Sequence, residues 1–185
     1  MSAPIRTPRS DWIAEGLLIL QTGGPDAVRI DPLAKSLGVT RGGFYWHFAN
    51  RQAFLDELVD SWEQLVVDEV ITSIDQAGGS GRDKLRQLIS LATSPQGAKA
   101  LAVEPAIRDW ARRDRHVARR LRRIDKRRVD YMRGLFRDFC ASEDEIEARV
   151  TLAMAMHISA PLMVAHSGGR SRREVFQLAF EHLLQ

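Results

Sequence analysis

The sequence predicts an all-α fold: a small amino-terminal three-helix module joined by a long helix to a larger helical bundle. Three observations predict it. Apolar residues recur at helical spacing through almost the whole chain, and no stretch sustains strand alternation. Breaker clusters at 22–25, 78–81 and 94–97 divide that pattern into lengths suited to helices. Residues 29–48 pack two very short apolar segments around one glycine, as a tight helix-turn-helix requires.

Taken in order, Ser10 or Asp11 can cap a first helix whose Trp12, Ile13, Gly16, Leu17 and Leu20 share a face. Thr22-Gly23-Gly24-Pro25 stops it. The next short helix carries Leu33, Ala34 and Leu37; either Asp31 caps it with Pro32 in the first turn, or it begins one step earlier at Arg29. Gly38-Val39-Thr40 is a turn, 41–47 a further short helix, and Asn50 the cap of a long helix running to about Ile74 with Phe54, Leu58, Trp62 and Leu65 on one stripe. Beyond the glycines at 78–81, Leu85, Leu88, Ile89 and Ala92 mark a helix closed by Ser94-Pro95-Gln96-Gly97. A shorter one starts at Pro105 and turns Ile107, Trp110 and Ala111 inward. Asp114 caps a long helix bearing Val117, Leu121, Ile124, Tyr131, Leu135 and Phe139, and Ser142 with Glu145 forms a capping box. The last helix covers about 171–184.

Composition limits the function classes. With 44% hydrophobic and 28% charged residues the chain is of folded, soluble type. Its one cysteine, Cys140, has no intramolecular partner, which suits a reducing cytoplasm. Residues 1–9 lack the apolar core of a secretory signal, and the longest apolar run, 154–165, is too short to span a bilayer. A cytoplasmic protein without a membrane partner is expected. Net charge is +3, yet 108–128 holds eleven Arg and Lys against three Asp, a local +8 that leaves about −5 elsewhere. Such a block suits either nucleic acid or the solvated side of one long helix.

The run from Asp31 to Phe48 carries the chemistry. Ala34 is small where the second helix must approach, Gly38 supplies positive φ, and Leu37, Val39 and Phe44 fill the wedge. Thr40 is placed to cap the following helix, leaving Arg41, Gly42 and Gly43 at its exposed start, where base edges are reached. Tyr45, Trp46 and His47 can donate to phosphates; since successive residues turn by about 100°, at least one of the three faces out. Arg51 adds a cation beside a helix amino terminus.

Ala34, Gly38, Val39, Thr40, Arg41, Gly42, Phe44, Tyr45, His47 and Phe48, followed by Asn50 and Arg51, closely resemble the amino-terminal module of the tetracycline-repressor-like (TetR) family. The resemblance covers about 6–66, leaving 67–185 as a ligand-sensing and dimerisation domain. It implies a ligand-responsive transcriptional repressor that binds double-stranded, palindromic operator DNA as a homodimer, with a small-molecule effector of unknown identity. The family usually has a hydroxyl residue just before the second helix; Arg29 stands there and can itself meet a phosphate.

No catalytic signature occurs in the remainder, and neither an enzyme, a cofactor nor a metal site is expected. His157 and His166 are too far round a helix to share a metal. A pocket, as the resemblance implies, would be lined by Trp62, Trp110, Met132, Phe136, Met154 and His157, with His157 its polar group. Val175, Phe176, Leu178, Ala179, Phe180, Leu183 and Leu184 spread over more than one side of the last helix, and Ala153 and Ala160 offer a close approach on the helix before. Ala153, Ala160, Phe176, Ala179, Phe180 and Leu183 are therefore the expected subunit interface. The alternative for the whole chain is a helical small-molecule-binding protein or enzyme with an incidental helix-turn-helix.

Overall fold

The computed structural model describes residues 7–163 and 168–185; His166 and the end of the apolar run 154–165 lie outside them. Among the described residues there are eleven α-helices and one π-helical turn. They divide into two compact units, Met1–Leu65 with Ala102–Leu121, and Val66–Leu101 with Arg122–Gln185. The all-α expectation holds. No helix is long and apolar enough to cross a membrane among the described residues.

The first unit contains α1 (Arg9–Ala27), α2 (Ile30–Ser36), α3 (Arg41–Tyr45), α4 (Arg51–Glu63), α8 (Glu104–Arg113) and the opening turns of α9 (Arg115–Arg137). Helix α1 starts one residue before the expected caps. Pro8 takes the N-cap position, its carbonyl accepts from the Asp11 amide at 3.1 Å, and Asp11 sits in the first turn, where the helix dipole favours an acid. The helix also outlasts its expected stop: Gly24 turns the chain at φ 68°, and Pro25 begins one more turn. Trp12, Gly16 and Leu20 form the buried face. Helix α8 packs along α1 through Ile107 and Trp110, so residues 102–121 belong to this unit although they follow it by some forty positions. Arg120, buried apart from its tip, donates to the Asp56 carbonyl at 3.1 Å and pairs with Asp60, which fastens the start of α9 to α4. Asp114 caps α9 as expected, its carboxylate accepting from the amides of His116 and Val117 at 2.8 and 3.2 Å.

The long helix expected from Asn50 to Ile74 is interrupted. After Glu63 the chain makes a π-helical turn, Gln64–Asp68, before α5 (Glu69–Ala77). A π turn inserts one residue and so rotates everything beyond it. Leu65, expected on the apolar stripe, is turned out to 41% exposure, while Val66 and Val67 take the buried positions.

The second unit contains α5, α6 (Gly81–Thr93), α7 (Pro95–Leu101), the rest of α9, α10 (Glu143–Ser159) and α11 (Arg172–Leu183). Leu85 and Ile89 of α6, Met132, Leu135 and Phe136 of α9, Ile146, Val150, Ala153 and Met154 of α10, with Phe180 and Leu184, make one core. The glycine-rich break at 78–81 ends in an ordered start: Ser80 and Asp83 form a reciprocal capping box. Ser171 and Glu174 do the same for α11. At Ser142 only half of the expected box exists. Its hydroxyl accepts from the Glu145 amide at 3.2 Å, but the Glu145 carboxylate takes the Ala141 amide and Arg149 instead. Helix α7 departs from expectation: Ser94-Pro95, a closing signal for α6, is equally a cap followed by proline in a first turn, and the Ser94 hydroxyl accepts from the Gly97 amide at 3.0 Å.

This core corrects two residues of the expected subunit interface. Ala153 and Phe180 are each 3% exposed and packed inside their own chain, because α10 and α11 turn these faces toward Phe136 and Leu85. Phe176 and Leu183 are half-buried against the same core, and Ala160 and Ala179 are half-buried too. Among the described residues of the second unit, the large apolar side chains left outside are Leu91, Leu152, Leu162, Met163 and Leu178. Phe180→Asp therefore places a charge in a closed core, at a cost of order 4 kcal/mol or more. It is expected to abolish the cooperative thermal transition of the second unit, followed by circular dichroism, rather than to release a folded monomer.

Candidate nucleic-acid interface

The helix-turn-helix is held from inside by aromatic rings. Phe44, fully buried, meets Trp12 edge-on at 5.6 Å between centroids, Phe54 edge-on at 5.3 Å and Phe48 at 5.1 Å. Helix α3 is therefore seated against α1 and α4 by the one residue of its five that is buried. The turn before it relies on Gly38 at φ 68°, a conformation that strains any side chain. The Gly38 amide bonds the Lys35 carbonyl at 3.1 Å and the Val39 amide the Ala34 carbonyl at 2.9 Å, which closes α2. Arg29 is the extended N-cap residue of α2, so the helix starts at Ile30, between the two starts the sequence allows, and the Arg29 side chain is exposed.

Thr40 precedes α3 in extended conformation but does not cap it with its hydroxyl. The Gly43 amide that a cap would satisfy bonds the Thr40 carbonyl at 2.9 Å, which leaves the exposed hydroxyl to solvent. Helix α3 ends at Tyr45, two residues short of expectation, and Trp46 and His47 lie in the turn after it.

Arg41, Gly42, Tyr45 and Trp46 form an exposed surface, with Gly43 half-buried beside it. Trp46, at 72%, is the most exposed large apolar side chain among the described residues. The Arg41 guanidinium donates to the Tyr45 hydroxyl at 3.2 Å and stands 3.7 Å from Asp31. The Tyr45 hydroxyl, then the Asp31 charge, raise its pKa above the ordinary arginine value, so it is a fixed cation. The two glycines are not demanded by packing within the chain. A methyl group at Gly42 would meet only the Thr40 hydroxyl at 3.7 Å, and one at Gly43 only the Trp12 ring at 3.6 Å, both ordinary contacts. Glycine inside a helix nevertheless costs about 0.5–1 kcal/mol against alanine. A bare backbone here makes sense when something outside must come close.

Two expected contacts sit elsewhere. The Arg51 guanidinium is turned back into the protein, where Nε donates to the Val28 carbonyl at 2.7 Å and Nη2 to the Pro25 carbonyl. The Pro25 carbonyl also accepts from the Val28 amide at 3.2 Å, and both carbonyls lie where α1 ends, so Arg51 ties α4 to the α1–α2 junction instead of facing outward. His47 is half-buried, its Nε2 3.1 Å from the Thr7 carbonyl. Its own carbonyl accepts from Arg9 Nη1 at 2.6 Å. Arg9 also lies 4.6 Å over the Phe48 ring and pairs with Glu57 at 2.9 Å. Sequence reasoning missed it, because its partners lie 38 to 48 residues away and no local spacing signals them.

The six residues expected to line a ligand pocket fall into both units. Trp62 and Trp110 are buried in the first, whereas Met132, Phe136 and Met154 fill the core of the second. His157 is half-buried in α10. No group of three His, Cys, Asp or Glu side chains is placed to hold a metal among the described residues. Burial, then the Glu145 carboxylate, push the Cys140 thiol up in pKa and keep it protonated.

Residues 13–58 match the family model for bacterial regulatory proteins of the tetR family. No curated protein is significantly similar in sequence. Among solved structures, a transcriptional regulator from Rhodococcus sp. Rha1 is 16% identical with a TM-score of 0.71, over 96% of each chain. The TetR family regulator PfmR from Thermus thermophilus is 14% identical, with a TM-score of 0.70 over 94% of this chain and 96% of that one. The ketosteroid transcriptional regulator KstR2 of Mycobacterium tuberculosis is 15% identical, with a TM-score of 0.67 over 99% and 96%. At these identities the likeness is one of fold.

The turn and the tethers are tested by one variant each. Gly38→Val should cost about 1–2 kcal/mol at positive φ and tilt α3. Arg51→Gln, by removing the bonds to Pro25 and Val28, should lower the thermal midpoint even with no DNA present. An unchanged midpoint of Arg51→Gln in a melting experiment would show that Arg51 is not a tether.

Proposed function

We propose that this chain, a member of the tetR family of bacterial regulatory proteins through the domain at residues 13–58, is a ligand-responsive repressor that binds a palindromic operator as a homodimer. DNA-binding transcriptional regulation is the activity of that family; the repressor, effector and dimer readings are ours. The observation that carries the DNA surface is the combination at α3: one buried anchor, two glycines that internal packing does not require, and outward Arg41, Tyr45 and Trp46. Arg41 and the backbone at Gly42 and Gly43 would face base edges, while Tyr45, Trp46, Thr40 and Arg29 would donate to phosphates and fix the register. His47 and Arg9 would set the pose of α3 from behind.

Five helical residues offer too few base contacts for a specific site, and two copies about 34–36 Å apart would supply them. Leu152, at 53% exposure on α10, and Leu178, at 47% on α11, are leucines of the second unit about half open to solvent, and they suit an isologous contact between copies. They replace Ala153 and Phe180 as the residues that would meet a partner. A small-molecule effector remains part of the reading, with no site assigned to it.

Selection of bound fragments from genomic DNA tests the operator and names the regulated genes; recovery of no enriched sequence would overturn the reading. Two quantities sharpen it. Tyr45→Phe should weaken all sequences alike with the salt dependence unchanged, whereas Arg29→Ala, at a phosphate, should lower the slope of log K against log salt by about 0.9. Leu152→Glu with Leu178→Glu should give folded monomers in sedimentation. A wild-type chain that sediments as a folded monomer at micromolar concentration would refute the dimer.

A further inference from the structure

We infer that Arg112, Arg115 and Arg119 form a second polyanion-binding surface on the first unit, fitted to the phosphates of duplex DNA and independent of base sequence. The basic block at 108–128 divides sharply by what its members touch. Arg108 pairs with Glu104, Arg113 with Asp109 and Arg120 with Asp60, while His116 stands 3.8 Å from Asp56. Arg120 and His116 face α4, and Arg108 and Arg113 are matched along α8 itself. Arg112, Arg115 and Arg119 are exposed and have no carboxylate within ion-pairing distance among the described residues.

Their placement follows from helical geometry. Val117, 1% exposed, marks the inner side of α9, and Arg115 and Arg119 are each two residues from it, about 200° round the helix. They thus stand on the outer side, about 6 Å apart along the axis. Arg112 lies in the last turn of α8, three residues before Arg115, so its Cα is within about 11 Å of that residue. Three uncompensated guanidinium groups repel one another, and an anion with repeated charges relieves that repulsion. All three are arginine, whose planar fork matches phosphate. The same unit carries the Arg41–Trp46 surface, so it is brought to DNA in any case. The choice of nucleic acid over an acidic polypeptide rests on the DNA-binding reading above.

The probe is a long duplex of mixed sequence, bound by the full chain across a range of salt concentrations. Arg112→Gln, Arg115→Gln and Arg119→Gln together should lower the slope of log K against log salt by about 2.7, and each alone by about 0.9. The single variants keep the test open if the triple one loses its fold in circular dichroism. Arg41→Ala, measured alongside, should add its own loss to that of the triple variant. An unchanged slope in the folded arginine variants overturns the proposal. So does a variant that keeps its duplex affinity but no longer binds polyglutamate, which would assign the surface to an acidic polypeptide. Loss of duplex binding in the arginine variants, with Arg41→Ala and Gly38→Val both silent, would instead retain this surface and refute the helix-turn-helix reading.

Discussion

The burial of Phe44 is the contact on which the rest of the first unit turns. Helix α3 is too short to be stable alone, since nucleating a helix costs more than one turn of hydrogen bonds returns. Two of its five residues are glycine, which weakens it further. What holds it is one ring lodged among Trp12, Phe48 and Phe54, each from a different part of the chain. Emptying such a site typically costs about 3–5 kcal/mol, a large share of the stability of a small unit. The outward residues can be chosen freely because this inward one carries the packing.

Polar ties finish what the rings begin. Arg9 reaches from α1 to the His47 carbonyl and to Glu57, and Arg51 reaches from α4 back to the carbonyls that end α1. Both are charged groups satisfying backbone or carboxylate oxygens, and both fix directions that apolar packing leaves loose. Arg120 does the same for the start of α9. Among the described residues, the forks of Arg9, Arg51 and Arg120 are occupied by their own protein, whereas Arg112, Arg115 and Arg119 are turned to solvent.

Features written in a few neighbouring residues were legible in the sequence. Asn50, Asp114 and Ser142 act as caps because a cap needs only amides two or three residues on. Gly38 was legible for the same reason, and helical geometry required at least one of Tyr45, Trp46 and His47 to face out without saying which. The sequence was mute where several apolar residues competed for one place. Leu65, Val66 and Val67 are equally oily, so nothing local says that a π turn discards the first and buries the other two. Phe180 and Leu178 stand two apart on a helix that is apolar on several sides, and only the core opposite decides that the ring goes in and the leucine out. Arg51 looked outward because its partners, Pro25 and Val28, lie more than twenty residues back.

The bare stretch at Gly42 and Gly43 also bears on how a DNA site would be told from its neighbours. A recognition helix with few side chains would have few hydrogen bonds to offer base edges, and its Gly43 amide is already taken by the Thr40 carbonyl. Discrimination then shifts toward the mechanics of the duplex: the width of a groove that must admit a slim helix, and the ease with which steps between the two half-sites twist or bend. For such a surface, base pairs that no side chain touches weigh as heavily as those beneath Arg41.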